Sequence, residues 1–235
     1  KPWRAFCKDL IQSRNDANVI ISYPKSGRTW HRAALGRYLA NAYDLDSTQS
    51  LDTRFITHAA GLPLTSYSHN GANFLSDINP DHFLNGNSLL WRNKSVLLLV
   101  RDPRAILVSS FHHMTSRSKK FEGTLSEFIR HPHTGIEKIL VAYNRWHKLG
   151  RLSPRFMVQS YEGMHANHRA ALSNALEFIG VNELNELAID EALSFTTFDN
   201  LKKLENLGYF QHKSMSQRNV VPEGQKVREG KVDGY

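Results

Sequence analysis

The sequence predicts a single α/β domain, covering residues 1–235, with a central parallel sheet flanked by helices. Two observations support this prediction. Short apolar segments alternate along the chain with longer segments whose apolar residues recur at helical spacing. One of the short segments is continuously apolar, which is typical of a strand buried on both faces of a parallel sheet.

The first strand and helix lie near the amino end. Ala17–Tyr23 is a short run containing β-branched residues that stops at Pro24. Thr29–Asn41 then carries helix formers with apolar residues at helical spacing. We therefore expect a tight loop between a strand and a helix.

Two more strands follow, each with a helix after it. Ser95–Val100 (SVLLLV) predicts a buried strand, and Pro103–Phe111 begins with proline, which the first turn of a helix tolerates. Arg155–Ser160 predicts a third strand, followed by a helix over Ala166–Ile179 that Gly180 stops. This order of strands and helices favours a parallel sheet.

The remaining segments are less regular. Asn182–Ser194 predicts one more helix. Asp52–Trp91, rich in Asn, Gly, Ser and His, and the polar tail after Leu204 lack a clear period. We interpret both as candidate substrate loops, since loops on a rigid α/β scaffold often hold function.

Composition narrows the partners. Thirty Lys and Arg outnumber 22 Asp and Glu, and the formal charge of +8 attracts anions such as nucleotides, nucleic acids and acidic lipids. The longest purely apolar run, Val96–Val100, is far shorter than the roughly 20 residues that span a bilayer. Cys7 is the only cysteine, which suits a reducing compartment. We expect a cytoplasmic protein without a membrane partner.

Residues 23–30 (YPKSGRTW) form the most informative segment. They place a glycine-containing loop between a buried strand and a helix start, where backbone N–H groups and the helix dipole favour a phosphate. Lys25 adds a positive charge, and Ser26 and Thr29 add hydroxyl donors. The loop is not a Walker A motif, because that motif needs an earlier glycine and places its lysine after the last glycine.

This string closely resembles the donor loop of cytosolic-type sulfotransferases, usually YPKSGTTW. In that family the loop holds the 5'-phosphosulfate end of 3'-phosphoadenosine-5'-phosphosulfate (PAPS). The resemblance implies that Lys25 contacts the bridging oxygen and the sulfuryl group and that Trp30 stacks on adenine. Arg28 replaces the usual Thr, which keeps a backbone N–H, loses a hydroxyl and adds a cation. The implied donor contacts in the loop are Lys25, Ser26, Gly27, Arg28, Thr29 and Trp30.

Residues 101–109 (RDPRAILVS) resemble the family's R-D-P-R-D-x-x-x-S segment, which binds the 3'-phosphate of the donor. Arg101 follows a predicted buried strand, at the edge of an α/β sheet where ligands bind, and a guanidinium can grip a phosphate in bidentate fashion. The resemblance assigns Ser109 to the same phosphate.

The general base is the next expected feature. Ile56-Thr57-His58 resembles the family's K-T-H or K-S-H segment, whose His removes the acceptor proton, although Ile56 replaces the usual Lys. Histidine, with an ordinary pKa of about 6.5, suits this role near neutral pH. We therefore predict Lys25 and His58 as the catalytic residues. His69 or His113 is the alternative base.

Weaker matches complete the implied donor site. Tyr161 begins a string similar to the family's Y-E-D-L, and Thr196 and Phe198 belong to one similar to T-S-F, so the resemblance implies that these three residues line the adenine pocket. Near the end, residues 227–232 (VREGKV) resemble the R-K-G-K-V segment that closes over the 3'-phosphate, with glutamate in place of lysine. The implied contacts there are Arg228, Glu229 and Gly230.

The resemblance implies the P-loop-kinase-like sulfotransferase fold and a transferase that uses PAPS and releases 3',5'-diphosphoadenosine (PAP). The acceptor would be a hydroxyl or amine of a small molecule, and no metal is required. Neither the acceptor nor the oligomeric state follows from the sequence. Candidate acceptor contacts are His69, Phe74, His82, Phe83 and Trp91, for which packing in the helix core is the alternative.

Two alternatives remain open. A P-loop kinase or NTPase would need a Walker A loop and an acidic magnesium ligand directly after a strand, whereas Arg101 stands there. A basic nucleic-acid-binding module would need aromatic residues interleaved with Lys and Arg on one surface, whereas the aromatic residues are scattered.

Overall fold

Four parallel strands form one sheet in the computed structural model, which describes residues 15–72, 91–210, 212 and 215. The strands are β1 (Asn18–Ser22), β2 (Thr65–Ser68), β3 (Ser95–Val100) and β4 (Phe156–Ser160), and their spatial order is β2-β1-β3-β4. Every neighbouring pair is parallel. The sequence prediction of a parallel α/β sheet is confirmed.

Helices connect the strands and cover both faces of the sheet. They are α1 (Arg28–Ala42), α2 (Thr53–Ala59), α3 (Pro103–His112), α4 (Leu125–Arg130), α5 (Ile136–Gly150), α6 (Tyr161–Ala166), α7 (His168–Ile179), α8 (Glu186–Phe195) and α9 (Phe198–Asn206). The described residues also contain a 3-10 turn at Ser47–Gln49 and a π-helical turn at His113–Arg117. None of the described helices is long and apolar enough to cross a membrane.

Alternate residues of the central strands supply two separate cores, because successive side chains of a strand point to opposite faces. On one face, Ile20, Leu97 and Leu99 pack with α1, α7 and α8. On the other, Val96 and Leu98 pack with α3, α4 and α5. A sheet covered on both sides explains why β3 is apolar at nearly every position.

The segment predicted as a loop from residue 52 to residue 91 contains two regular elements, α2 and β2. The Asp52 carboxylate caps α2 by accepting from the Phe55 N–H. β2 has the sequence TSYS and lies at an edge of the sheet, so it lacks the apolar run that marks a central strand. The loop prediction was therefore wrong for these residues.

Candidate active site

The carboxyl ends of the strands bring the predicted donor segments to one edge of the sheet. Because all four strands are parallel, the residues that follow them meet at this edge, where open α/β sheets bind their ligands. The loop of residues 23–30 follows β1, and His69 follows β2. Arg101 follows β3, and Tyr161 follows β4.

The loop after β1 has a backbone that favours close approach of a ligand. Lys25 and Gly27 both have positive φ, at 74° and 82°. Gly27 is the N-cap residue of α1 and has no side chain that could bond the backbone N–H groups of the first turn. These N–H groups have no hydrogen-bond partner within the helix and can bind a ligand. A Cβ at Gly27 would lie 2.4 Å from the Tyr161 ring. Glycine is therefore required here both by conformation and by space, and the cradle suits a phosphate.

Arg101 joins the two predicted phosphate segments. Its Nη1 donates to the Lys25 carbonyl at 3.1 Å, so the guanidinium lies directly beside the loop. The same guanidinium stacks on the Tyr161 ring, with its carbon 4.1 Å from the ring centroid. One cluster thus contains the backbone cradle at Gly27, the two cationic residues Lys25 and Arg101, and the ring of Tyr161.

Tyr143, which was not predicted, contacts this cluster through its hydroxyl. Its hydroxyl accepts from the Arg101 N–H at 3.0 Å and donates to the Arg101 carbonyl at 3.1 Å. The Oγ of Ser26, which is fully buried, lies 3.5 Å from the same hydroxyl. Tyr143 lies on α5, outside every motif, and no sequence signal could have identified it.

Trp30 lies in an aromatic cluster beside the loop. Its Nε1 donates to the Thr196 carbonyl at 3.0 Å, and its ring centroid is 5.8 Å from that of Tyr161. Two residues absent from the prediction, His165 and His168, lie 4.6 Å and 4.3 Å from the Trp30 ring. Burial lowers the pKa of His168 to about 4, and burial followed by the Arg101 charge lowers that of His165. Both rings therefore favour the neutral form near pH 7. Together with Trp30 they form an aromatic surface on which a flat nucleotide base could stack.

Five predicted donor residues lie further from the cluster or outside the described residues. Ser109 is half-buried on α3, six residues beyond its start, which is about 9 Å along a helix. Phe198 is half-buried as the first residue of α9, two residues after Thr196. The segment of Arg228, Glu229 and Gly230 lies outside the described residues.

His58 is not brought to this edge. It is exposed on α2, and its neighbour Thr57 accepts, through Oγ1, from the backbone N–H of Thr65, the first residue of β2, at 3.2 Å. This contact places α2 beside the amino ends of the strands. β1 has five residues, so about 13 Å of strand separates that edge from the loop that carries Lys25. The position of His58 does not fit the predicted role of general base.

His69 lies at the correct edge. It directly follows β2, and its Nδ1 lies 2.7 Å from the carbonyl oxygen of Ser22, the last residue of β1. A carbonyl can only accept, so Nδ1 carries the proton of the neutral ring and the basic lone pair is on Nε2. The string Ser68-His69 at a strand end could have indicated this residue, but only after β2 itself had been recognised.

The remaining candidates for the acceptor pocket divide in two. Trp91 is 3% exposed and packs in the second core with Val96 and Leu98, so its expected acceptor contact is corrected to a core position. Phe74, His82 and Phe83 lie outside the described residues. Within the described ranges, no three His, Cys, Asp or Glu residues are grouped to hold a metal ion.

Comparison with known proteins extends the local resemblance to most of the chain. Residues 15–235 match a family model described as the sulfotransferase domain. Luciferin sulfotransferase of Photinus pyralis is 25% identical over 262 aligned positions, covering 96% of this chain and 68% of the relative.

Solved structures show the same fold. Mouse sulfotransferase SULT7A1 complexed with PAP superposes with a TM-score of 0.61 at 18% identity, covering 97% of this chain and 81% of that one. Retinol dehydratase in complex with androsterone and inactive cofactor PAP gives a TM-score of 0.59 at 17% identity, covering 98% and 79%. The fold predicted from the two phosphate segments is confirmed.

Proposed function

The chain belongs to the sulfotransferase family, and we propose that it transfers a sulfuryl group from PAPS to a hydroxyl or amine of a small molecule. The observation that supports this most strongly is the cluster of Lys25, Gly27, Arg101 and Tyr161 at the carboxyl edge of the sheet. It combines a backbone cradle for one phosphate with a guanidinium for a second, as a donor with 5' and 3' phosphates requires.

The donor occupies the side of the edge formed by β1, β3 and β4. The phosphosulfate lies against the amides of the loop, Arg101 binds the 3'-phosphate, and Trp30 and Tyr161 bound the adenine pocket. The two added histidines, His165 and His168, extend the aromatic wall beside Trp30. Ser109 and the segment of Arg228 complete the phosphate contacts in this proposal.

His69, rather than His58, takes the acceptor proton. The acceptor oxygen attacks the sulfur, the bond between sulfur and the bridging phosphate oxygen breaks, and the proton moves to Nε2 of His69. The Ser22 carbonyl holds the ring in the tautomer that can accept this proton. Lys25 and the loop amides stabilise the charge that develops on the bridging oxygen, so PAP leaves with the electron pair.

A PAPS assay tests the function directly. The protein is incubated with PAPS and a panel of hydroxylated and aminated small molecules, and PAP and the sulfated product are measured by chromatography and mass spectrometry. We expect both to form without added metal, and Lys25→Ala to reduce the rate by roughly 10²–10³. Magnesium-dependent ATP turnover, with no PAP formed from any acceptor, would instead favour a kinase.

We further propose a cytoplasmic location. The single cysteine, Cys7, is compatible with a reducing compartment. Cell fractionation of the tagged protein in its native host tests this proposal.

A further inference from the structure

Two arginines of α1 lie on the β2 side of the donor loop. Arg28 and Arg32 are one helical turn apart and so share a face of the helix. Their guanidinium carbons are 5.8 Å and 4.4 Å from the centroid of the Tyr67 ring. Tyr67 lies on β2, two residues before His69. This Arg28–Arg32 pair therefore brings positive charge close to the proposed base.

Arg32 lacks a carboxylate partner in the described part of the chain. The residue is only 8% exposed, and its Nε has no hydrogen-bond partner among the described residues. Asp52 attracts it electrostatically, but no salt bridge between them occurs in the described ranges. Asp52 is thus a counter-charge at a distance and not a contact, and a buried cation that no carboxylate contacts is costly, so the site favours an anion.

The groups packed around Arg32 do not provide that anion. Burial raises the pKa of the Tyr67 hydroxyl, which therefore stays protonated. Burial lowers the pKa of His31 to about 4, so this ring, which hydrogen-bonds the Tyr67 hydroxyl, is neutral. Tyr67 offers its ring face to Arg32 and no charge.

The guanidinium groups of the pair lie away from the groups proposed to bind the adenine and the 3'-phosphate, although the Arg28 N–H belongs to the loop that holds the phosphosulfate. The groups proposed to bind the nucleotide, Arg101, Tyr161 and Trp30, lie towards β3 and β4, whereas the Arg28–Arg32 pair lies over β2. In an in-line displacement the attacking and leaving oxygens lie on opposite sides of the transferred group. The acceptor therefore approaches from the β2 side, which is also the side of His69.

We propose that the Arg28–Arg32 pair binds an anionic group of the acceptor, so that the preferred substrates are small hydroxyl or amine compounds that also carry a carboxylate, phosphate or sulfate. The inference rests on the proposed sulfotransferase function and specifies the substrate class. Guanidinium groups suit such oxyanions because they can bind two oxygens at once.

Matched acceptors that differ only in charge test the inference. The probes are 4-hydroxyphenylacetate with 4-hydroxyphenylacetamide, and glucuronate with glucuronamide. We expect the acid of at least one pair to have the higher kcat/KM, and Arg32→Gln to lower the ratio of acid to amide by about 10- to 100-fold, the scale of a charge-assisted hydrogen bond. Arg32→Lys, which keeps the charge, should retain part of the ratio.

Arg37→Gln is the matched control. Arg37 lies on the same helix, but its guanidinium carbon is 4.7 Å from the centroid of the Phe195 ring. Its replacement therefore removes one positive charge from α1 away from Tyr67. It should retain the wild-type ratio. PAP binding by calorimetry checks that each variant is folded.

Three outcomes would overturn the inference: equal rates for acid and amide, a ratio unchanged in Arg32→Gln, or no acid bound or turned over. Turnover of the amides alone would leave the sulfotransferase function standing and refute only the acidic substrate class. Donor binding that weakens in Arg32→Gln while the ratio stays constant would assign the pair to the phosphosulfate instead. Lack of PAP formation with every acceptor would count against the proposed function itself.

Discussion

His31 is a neutral histidine held inside the protein, one residue before Arg32. It is 4% exposed, and its Nδ1 is hydrogen-bonded to the Tyr67 hydroxyl. Burial, with smaller contributions from His168 and Arg32, lowers its pKa to about 4, whereas Gln159 opposes this shift. The ring is thus a structural contact whose proton content differs between the folded and unfolded chain.

The sign of the resulting pH dependence follows from linkage. The unfolded chain binds a proton near the ordinary histidine pKa of about 6.5, and the folded chain binds it only near 4, so stability is lost as the pH falls through this window. At 1.36 kcal/mol per pH unit, the full window corresponds to about 3 kcal/mol. We expect His31→Gln to reduce the loss of unfolding free energy between pH 7 and pH 4.5, measured by urea titration.

Exposed His147 provides the control, because His147→Gln removes a histidine from the surface of α5. An acid loss in His31→Gln equal to that of wild type would mean that the buried ring does not exchange its proton on unfolding.

At the scale of elements, the sequence predicted three of the four described strands and the helices after them, and missed the edge strand β2. β1 and β3, the two central strands of the described sheet, follow from apolar runs, because a parallel sheet buries both faces of its central strands. β4 lies at the edge opposite β2 and follows from its apolar residues and from the helix predicted after it. All four residues of β2 carry a hydroxyl group, and the strand needs only partial burial at the edge. Because β2 was not recognised, the segment Ile56-Thr57-His58 was predicted to carry the base. This segment lies on α2, beside the amino ends of the strands, whereas the donor loop lies at their carboxyl ends.

The same limit applies to α5. Tyr143 contacts Ser26 and Arg101 at the ends of two strands that are distant from it in sequence, and only the packing of α5 against the sheet creates these contacts. Local patterns cannot reveal a contact made by tertiary packing. The donor motifs could be predicted because each one is a continuous stretch of sequence at the end of a strand and the start of a helix.

Tyr143→Phe measures how much α5 contributes to the donor site. The change removes the hydrogen bonds to Arg101 but keeps the ring, so we expect the unfolding free energy to fall by about 1–2 kcal/mol. PAP affinity should also fall, because Tyr143 fixes the backbone of Arg101 and so positions the Arg101 guanidinium beside the loop. Denaturant titration and calorimetry with PAP check both effects.

Tyr43→Phe is the control for this substitution, since Tyr43 is 38% exposed at the end of α1. If Tyr143→Phe and Tyr43→Phe bound PAP equally well, Tyr143 would be a packing residue without influence on the donor.

At the scale of the whole molecule, one sheet edge receives groups from four strands that are far apart in the chain. Because the site joins these segments, a donor that contacts several of them should stabilise the entire fold. A ligand that binds only the folded state raises stability by RT ln(1 + [L]/Kd), about 2.7 kcal/mol at a hundredfold excess over Kd.

We therefore expect PAP to raise the melting temperature much more than AMP, which lacks the 3'-phosphate assigned to Arg101. Arg101→Ala should reduce the difference between the melting-temperature shifts caused by PAP and by AMP, as measured by thermal denaturation at equal ligand concentrations. Arg104→Ala is the control, because Arg104 forms an exposed ion pair with Asp102 at 2.7 Å. Equal shifts for PAP and AMP in the wild-type protein would refute the 3'-phosphate site.

The proposed base, His69, directly follows β2 and lies on the same side of the sheet as the donor loop, and turnover of PAPS with a hydroxyl acceptor by His69→Ala and His58→Ala distinguishes it from His58. We expect His69→Ala to lower kcat by roughly 10²–10⁴ with PAP affinity close to that of wild type, and His58→Ala to remain near the wild-type rate. A large loss of turnover in His58→Ala, with His69→Ala still active, would instead identify His58 as the base.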